Sequence, residues 1–334
     1  MNLYVCDQGA HISLKENRLI VKKADHSQRE LPISMIDMVE LFGGVQMTTQ
    51  ASTRCLKEHI PVVFYSYKGY CAGKLTGPGF IDPKKVWNQY RFLDRQEDRL
   101  EIDKKIVKAK INNQLIILRR YTRKRAETGG EYGSWNEKMK IMIRRIERAT
   151  KIEELMGIEG IAAKTYFETL GSFPDEKYRF SRRSRRPPKD PVNAALGMGY
   201  TILMNEVLGK ISGAGLLPEV GVFHASGYHR PALACDLMEE WRPIIVDSTV
   251  MSMFTGHEFT DDDFQKVGEA VYLSHTGVCK LIRKLQMKMD SSCQYLDVSK
   301  QKIVFAQAVA HQIYTYGKML ELEAPELYKP IMLR

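Results

Sequence analysis

Short runs of β-branched and aromatic residues dominate the first 77 positions. Leu3-Tyr4-Val5, His11-Ile12-Ser13-Leu14, Leu19-Ile20-Val21 and Pro61-Val62-Val63-Phe64-Tyr65 are each bounded by turn-forming residues, the pattern of short strands. Lys15-Glu16-Asn17 and Ser66-Tyr67-Lys68-Gly69-Tyr70 read as hairpin turns. Between them, Thr48 to Glu58 carries Ala51, Cys55 and Leu56 at helical spacing and predicts one helix packed on a core. Thr76-Gly77-Pro78-Gly79 then punctuates the chain. From about Pro83 to Leu320 the apolar residues recur at helical spacing. Val86, Tyr90, Leu93, Glu97, Leu100 and Lys104 predict one long two-faced helix. Ile106 to Arg120 continues it, with Ile106, Lys110, Asn113, Ile117 and Arg120 on one side. Thr150-Lys151-Ile152-Glu153 has the spacing of a capping box and opens another helix. The expected fold is α+β: a small N-terminal β-rich domain, residues 1–77, followed by a larger all-α C-terminal domain, residues 78–334.

Charge sharpens this division. The chain has 334 residues, 50 Lys and Arg against 40 Asp and Glu, and a net charge of +10. Residues 82–148 hold 19 basic and 10 acidic residues, a net of +9. Residues 181–190 hold five basic and one acidic, a net of +4, so the remainder is slightly acidic. One basic run is ordinarily a solvated helix face. Two in one chain point to a polyanion, nucleic acid ahead of a membrane surface. The composition, 44% apolar and 27% charged, is that of a globular protein and excludes a disordered, fibrous or disulfide-scaffold chain. Long apolar stretches are interrupted, as Glu206, Lys210 and Glu219 interrupt 198–223, so no membrane span is expected. The N-terminus has no secretion-signal pattern. None of the six cysteines stands in a Cys-x-x-Cys pair, which suits a reducing cytoplasm and argues against structural zinc.

Three segments concentrate chemistry. In Phe223–Pro243, Pro231 suits the first turn of a helix and Pro243 its end. Leu233, Leu237, Trp241 and Ile244 share one face. Asp236, Glu239 and Glu240 cluster on another, where three carboxylates repel one another unless an Arg or a metal ion sits among them. His224 and His229 are equal candidates for a nitrogen ligand, and the spacing does not choose between them. Glu159 stands beside Gly157 and Gly160 at an expected helix start, as a dipole partner or a catalyst, with Tyr166 seven residues on along the same face. Arg182, Arg183, Arg185, Arg186 and Lys189 occupy a Pro-rich loop able to reach phosphates. Asp190 and Pro191 then form an N-cap and first helical position.

Taken together, these segments resemble the CRISPR-associated adaptation integrase family, the larger of the two core proteins that insert new spacers. The resemblance runs through Glu159 in its Glu-Gly-x-Ala-x-x-x-Tyr-Phe context, Arg185-Arg186-Pro187-Pro188-Lys189-Asp190-Pro191-Val192-Asn193-Ala194, Gly199-Tyr200, Leu217-Pro218, Gly221-Val222-Phe223-His224 and Asp236-Leu237-Met238-Glu239-Glu240-Trp241-Arg242-Pro243. It covers essentially the whole chain, with residues 150–245 the most diagnostic. One departure stands out: where the family commonly carries Gly-Arg-x-Ser-Leu, this chain has His229-Arg230-Pro231-Ala232-Leu233 and lacks the serine.

The resemblance implies metal ligands at Glu159, His224 and Glu239, with Asp236 as the neighbouring acidic group and Mg²⁺ or Mn²⁺ as the ion. It implies double-stranded DNA, both prespacer and CRISPR repeat, bound by Arg182, Arg183, Arg185, Arg186, Lys189, Arg230 and Tyr166. It further implies a homodimer formed through the β domain, a small ferredoxin-like partner protein of the Cas-two family, and a prokaryotic cytoplasmic setting. The implied activity joins 3′-hydroxyl ends of short foreign DNA to phosphodiesters of the array. The residues themselves also admit a structure-selective nuclease without integration, or a non-enzymatic scaffold in which the carboxylates only pair with arginines.

Overall fold

The computed structural model describes residues 1–334 except 68, 78–80, 127–132, 225–230 and 298–300, together with the side chains of 124–126. The chain opens with β1 (Asn2–Val5), β2 (His11–Lys15), β3 (Arg18–Lys22), β4 (Gln28–Pro32), β5 (Met38–Phe42), β6 (Gln46–Met47), helix α1 (Thr49–Lys57), β7 (Val62–Tyr65) and β8 (Cys71–Leu75). These build two four-stranded sheets, ordered β1-β5-β7-β8 and β4-β3-β2-β6. In the first, β1, β5 and β7 are parallel and β8 returns antiparallel. The second is an antiparallel β2-β3-β4 meander with β6 parallel to β2. The two-residue turn after Lys15 forms as expected, with Glu16 at φ 54°. In the second expected turn, Lys68 lies outside the described residues. Thr48 caps α1, its hydroxyl accepting the Ala51 N–H at 3.2 Å.

Strand period decides how the sheets connect to the rest of the chain. Leu3, Val5, Val39, Leu41 and Val62 pack against Ile12, Leu19, Val21 and Leu31 of the second sheet, with Ala51 and Cys55 of α1 closing that core. The alternate positions Met38, Phe42, Val63 and Tyr65 point the other way and join the helical core. Phe42 and Tyr65 stack there with ring centroids 4.3 Å apart.

The rest is mostly helical: α2 (Pro83–Leu93), α3 (Gln96–Ala126), α4 (Trp135–Arg148), α5 (Ile152–Leu170), α6 (Pro191–Gly213), α7 (Ala232–Met238), α8 (Ser248–Thr255), α9 (His275–Asp290) and α10 (Phe305–Leu322). Two small ribbons interrupt the helices, β9 (Phe264–Val267) with β10 (Ala270–Leu273), and β11 (Ser292–Cys293) with β12 (Ile303–Val304). The single helix expected over Val86 to Lys104 breaks at Asp94-Arg95. α2 packs on α10 while α3 packs on α4 and α5, so their apolar faces must turn apart. The expected capping box is shifted. Lys151 is the N-cap of α5, and Glu154 rather than Glu153 reaches back to the Thr150 N–H at 2.8 Å. Pro243 does not end a helix either. It sits in a π-helical segment, Arg242–Asp247, that runs on into α8. The wider turn accommodates a residue without an N–H. Among the described residues no helix is long and apolar enough to cross a membrane.

Candidate active site

α7 places Asp236 at the centre of a fork of donors. Its carboxylate is fully buried and accepts the backbone N–H groups of Val222 at 2.7 Å, Phe223 at 3.1 Å and His224 at 2.9 Å. The same carboxylate holds His224 Nδ1 at 2.6 Å. The incoming loop comes so close that a Cβ on Gly221 would meet Asp236 Oδ2 at 2.5 Å, so only glycine fits there. Behind this fork, Arg99 Nε donates to the Val222 carbonyl at 2.7 Å. Asp103 of α3 is buried beside it with neither carboxyl oxygen bonded. Burial, with the Asp236 charge added, pushes the Asp103 carboxyl up to about 8 against the pull of Arg99.

Glu239 follows α7 and is buried between two cations. Arg242 Nη1 lies 2.6 Å from its Oε1 and Lys110 Nζ 2.7 Å from its Oε2. Oε2 has no aligned hydrogen bond despite its burial. Burial alone would raise this carboxyl, but the charges of Arg242 and Lys110, with His224 adding to them, hold it down at about 2. Lys110 of α3 also pairs with Glu159 of α5. Glu159 sits in the middle of α5 rather than at its start, which removes the dipole-partner reading. Gly157 and Gly160 beside it face open space.

The expected cluster of three carboxylates is therefore divided among three surroundings. Asp236 binds the loop and His224, and Glu239 meets Lys110 and Arg242. Glu240 turns into the core, accepting from Tyr328 Oη and the Ile331 N–H at 2.6 Å each and from Gln312 at 2.9 Å. Burial pushes the Glu240 carboxyl up to about 8 although these bonds oppose it. Among the described residues no three His, Cys, Asp or Glu side chains are gathered as a ready metal cage. The Lys110 ammonium stands between Glu159 and Glu239, and His224 Nδ1 is taken by Asp236.

The expected DNA-facing residues do not stay together. Tyr166 is corrected by the structure: it is fully buried, and its hydroxyl donates to Asp247 at 2.7 Å. Arg183 is half-buried, held by Asn193 and lying over the rings of Tyr200 and Phe167. Arg242 also lies over Tyr200, 5.1 Å from the ring centroid. Arg182, Arg185, Arg186 and Lys189 are exposed. Arg185 and Arg186, with Arg183, Arg242, Tyr70 and Tyr272, line a cavity of about 480 Å³ next to the site. Arg230 and His229 lie outside the described residues. Lys110, Asp103 and Asp247 were not singled out from sequence. Lys110 did carry a signal: it shares a helix side with Ile106, Asn113 and Ile117, a charge on an otherwise core-facing stripe.

The profile of the family described as CRISPR associated protein Cas1 matches residues 3–287. The chain belongs to the Cas1 family. A relative in Thermus thermophilus, named CRISPR-associated endonuclease Cas1 1, is 34% identical over 289 residues, 86% of this chain and 87% of the relative. The CRISPR-associated endonuclease Cas1 of Mycobacterium tuberculosis is 28% identical over 97% of this chain and 95% of its own. Among solved structures, a Cas6-RT-Cas1–Cas2 complex contains a chain with a TM-score of 0.84 and 25% identity, covering 99% of this chain and 36% of that longer one. A casposase bound to integration product shares the fold, with a TM-score of 0.84 at 22% identity over 96% of this Cas1 chain and 91% of its own.

Proposed function

We propose that this Cas1 protein is a metal-dependent integrase and endonuclease of CRISPR adaptation that joins 3′-hydroxyl ends of short foreign DNA to phosphodiesters of the array. The observation that carries this reading is the convergence of Glu159, from α5, and Glu239, just past the end of α7, on one position filled by positive charge, with His224 close enough to act on Glu239. Glu239 Oε2, buried and without an aligned hydrogen bond, suits a cation better than any neutral donor. Two carboxylates and an imidazole fit Mg²⁺ or Mn²⁺. Glu159, Glu239 and His224 would hold the ion. A divalent ion there supplies charge stabilisation at the phosphate under attack and orients the attacking or leaving oxygen.

The chain's own residues prepare that site. Asp236 holds His224 Nδ1 and so leaves Nε2 as the nitrogen available to an ion. Arg242, together with Lys110, keeps Glu239 ionised despite its burial. Arg182, Arg185 and Arg186 are free to meet phosphates, and Arg183 and Arg242 extend the positive surface along the cavity toward Glu239. Residues 1–77 serve as the dimerisation domain, and 78–334 as the catalytic and DNA-binding domain. A small ferredoxin-like protein of the Cas2 family completes the assembly. Support for that partner comes from the similarity to a chain of a complex named Cas6-RT-Cas1–Cas2.

Strand transfer of a labelled DNA end into supercoiled plasmid tests the proposal, with Mn²⁺, Mg²⁺ or EDTA and with the Cas2-type partner added or omitted. Joining should require a divalent ion and should fall by at least about a hundredfold in His224→Ala and Glu239→Gln. Metal-dependent cutting without joining, under every partner condition, leaves a nuclease only. DNA binding that is indifferent to metal and to both substitutions leaves a scaffold.

A further inference from the structure

Lys110 enters the chemistry described so far only as a charge that keeps Glu239 ionised, yet it occupies the centre of the site. It lies on α3 between fully buried Ile106 and Ile111 and is itself 7% exposed. A buried ammonium is costly unless carboxylates surround it. Glu159 and Glu239 do so from two sides. One turn further along α3, Asn113 donates to the carbonyls of Glu240 at 2.9 Å and Ile331 at 2.8 Å, which fixes the register of the helix. The backbone at Lys110 therefore stays in place, while its four-carbon stem is free to swing. Its ammonium meets Glu239 on Oε2, the oxygen without an aligned hydrogen bond, whereas Arg242 holds Oε1.

We propose that Lys110 is an internal counter-ion that takes the place of the divalent ion in metal-free Cas1 and is displaced from Glu239 when that ion binds. This rests on the metal-site reading above. Glu239 cannot present the same oxygen to an ammonium and to a divalent ion at contact distance, because the two cations would repel each other strongly at that separation. The site is consequently neutralised and held together without metal, and metal binding is an exchange of cations rather than the filling of an open cage. The absence of a ready three-ligand cage among the described residues follows from the same arrangement. Metal affinity is then set partly by how readily Lys110 withdraws.

The test compares full-length wild type, Lys110→Met, Lys110→Arg and Glu239→Gln by Mn²⁺ titration followed by electron paramagnetic resonance, with melting temperatures in EDTA and in Mn²⁺. Lys110→Met should melt lower than wild type in EDTA, bind Mn²⁺ at least about tenfold more tightly and gain more from it in melting temperature. Lys110→Arg keeps the charge on a head group less able to withdraw, and should bind Mn²⁺ about tenfold more weakly than wild type. It also provides the reading if the Met variant does not fold. If Glu239→Gln abolishes Mn²⁺ binding while the Lys110 variants bind like wild type, or Lys110→Met binds more weakly, the counter-ion proposal is overturned and the metal site stands. If Glu239→Gln binds Mn²⁺ as wild type does, the metal-site reading itself fails.

Discussion

Asp236 accepts four bonds in a space that excludes water, three from backbone and one from His224. Asparagine has the same shape but presents an NH₂ group on one side of a fork built entirely of donors. Asp236→Asn should lower strand transfer and Mn²⁺ affinity together, about 10–100-fold, while the protein still folds. Unchanged Mn²⁺ affinity would mean that Asp236 does not orient His224. Asp103, behind this fork, titrates in the opposite sense from an exposed carboxyl. Its native pKa of about 8 lies far above the unfolded value of about 4, so the native state keeps a proton that the unfolded chain releases. Stability should fall as pH rises from about 4 to about 8 and level off beyond. Asp103→Asn cannot ionise and should gain melting temperature over wild type at pH 8 but not at pH 4. Glu240, also raised to about 8, leaves a residual decline in both proteins. At this scale the sequence offered residue types and spacing, which nominated Asp236, Glu239 and Glu240 as one cluster. Their division into three surroundings depends on Lys110, Val222 and Tyr328, contributed by distant parts of the chain that spacing cannot bring together.

Elements were easier to read than their junctions. The strands of the first 22 residues, α1 and the Asp190-capped start of α6 follow from local pattern, because turn, cap and period agree there. β4 and β8 carry mostly exposed side chains, so no hydrophobic alternation marks them. The break between α2 and α3, the shifted start of α5 and the π-helical passage through Pro243 are set by which neighbour each helix packs on. The approach of the 221–224 loop to α7 is another such junction. A Cβ at Gly221 would meet Asp236 Oδ2 and the Ala232 backbone at 2.5–2.6 Å. Gly221→Ala should therefore cost about 1–3 kcal/mol by overpacking and also reduce strand transfer by shifting His224. A variant with wild-type melting temperature and activity would show that the loop has room that the geometry denies.

At the scale of the molecule, the charge of the chain and the charge available to DNA are different quantities. Residues 82–148 hold most of the basic excess, which from sequence is the larger DNA-binding segment. Part of it is paired in the structure: Lys108 with Glu147, Lys105 with Glu101, Arg91 and Arg95 with Glu323, Lys140 with Glu137, and Lys110 with Glu159 and Glu239, while Lys104 donates to the Glu147 backbone carbonyl. The smaller segment is less encumbered. Arg182, Arg185 and Arg186 are exposed, and the last two line the cavity that reaches Arg242 and thus Glu239. This places accessible positive charge beside the proposed chemistry as well as along α4, where Arg144, Arg145 and Arg148 are exposed. If about eight phosphates are neutralised in all, log K for DNA should fall with log salt at a slope near −7. Removing two contacts with Arg185→Ala and Arg186→Ala together should bring that slope toward about −5, with equal loss on unrelated sequences, because backbone contacts carry no base readout. Replacing Lys105 and Lys108, whose charges already meet Glu101 and Glu147, should leave it nearly unchanged. The reverse ranking would move the DNA path from the arginine loop to the α3–α4 face and away from Glu239.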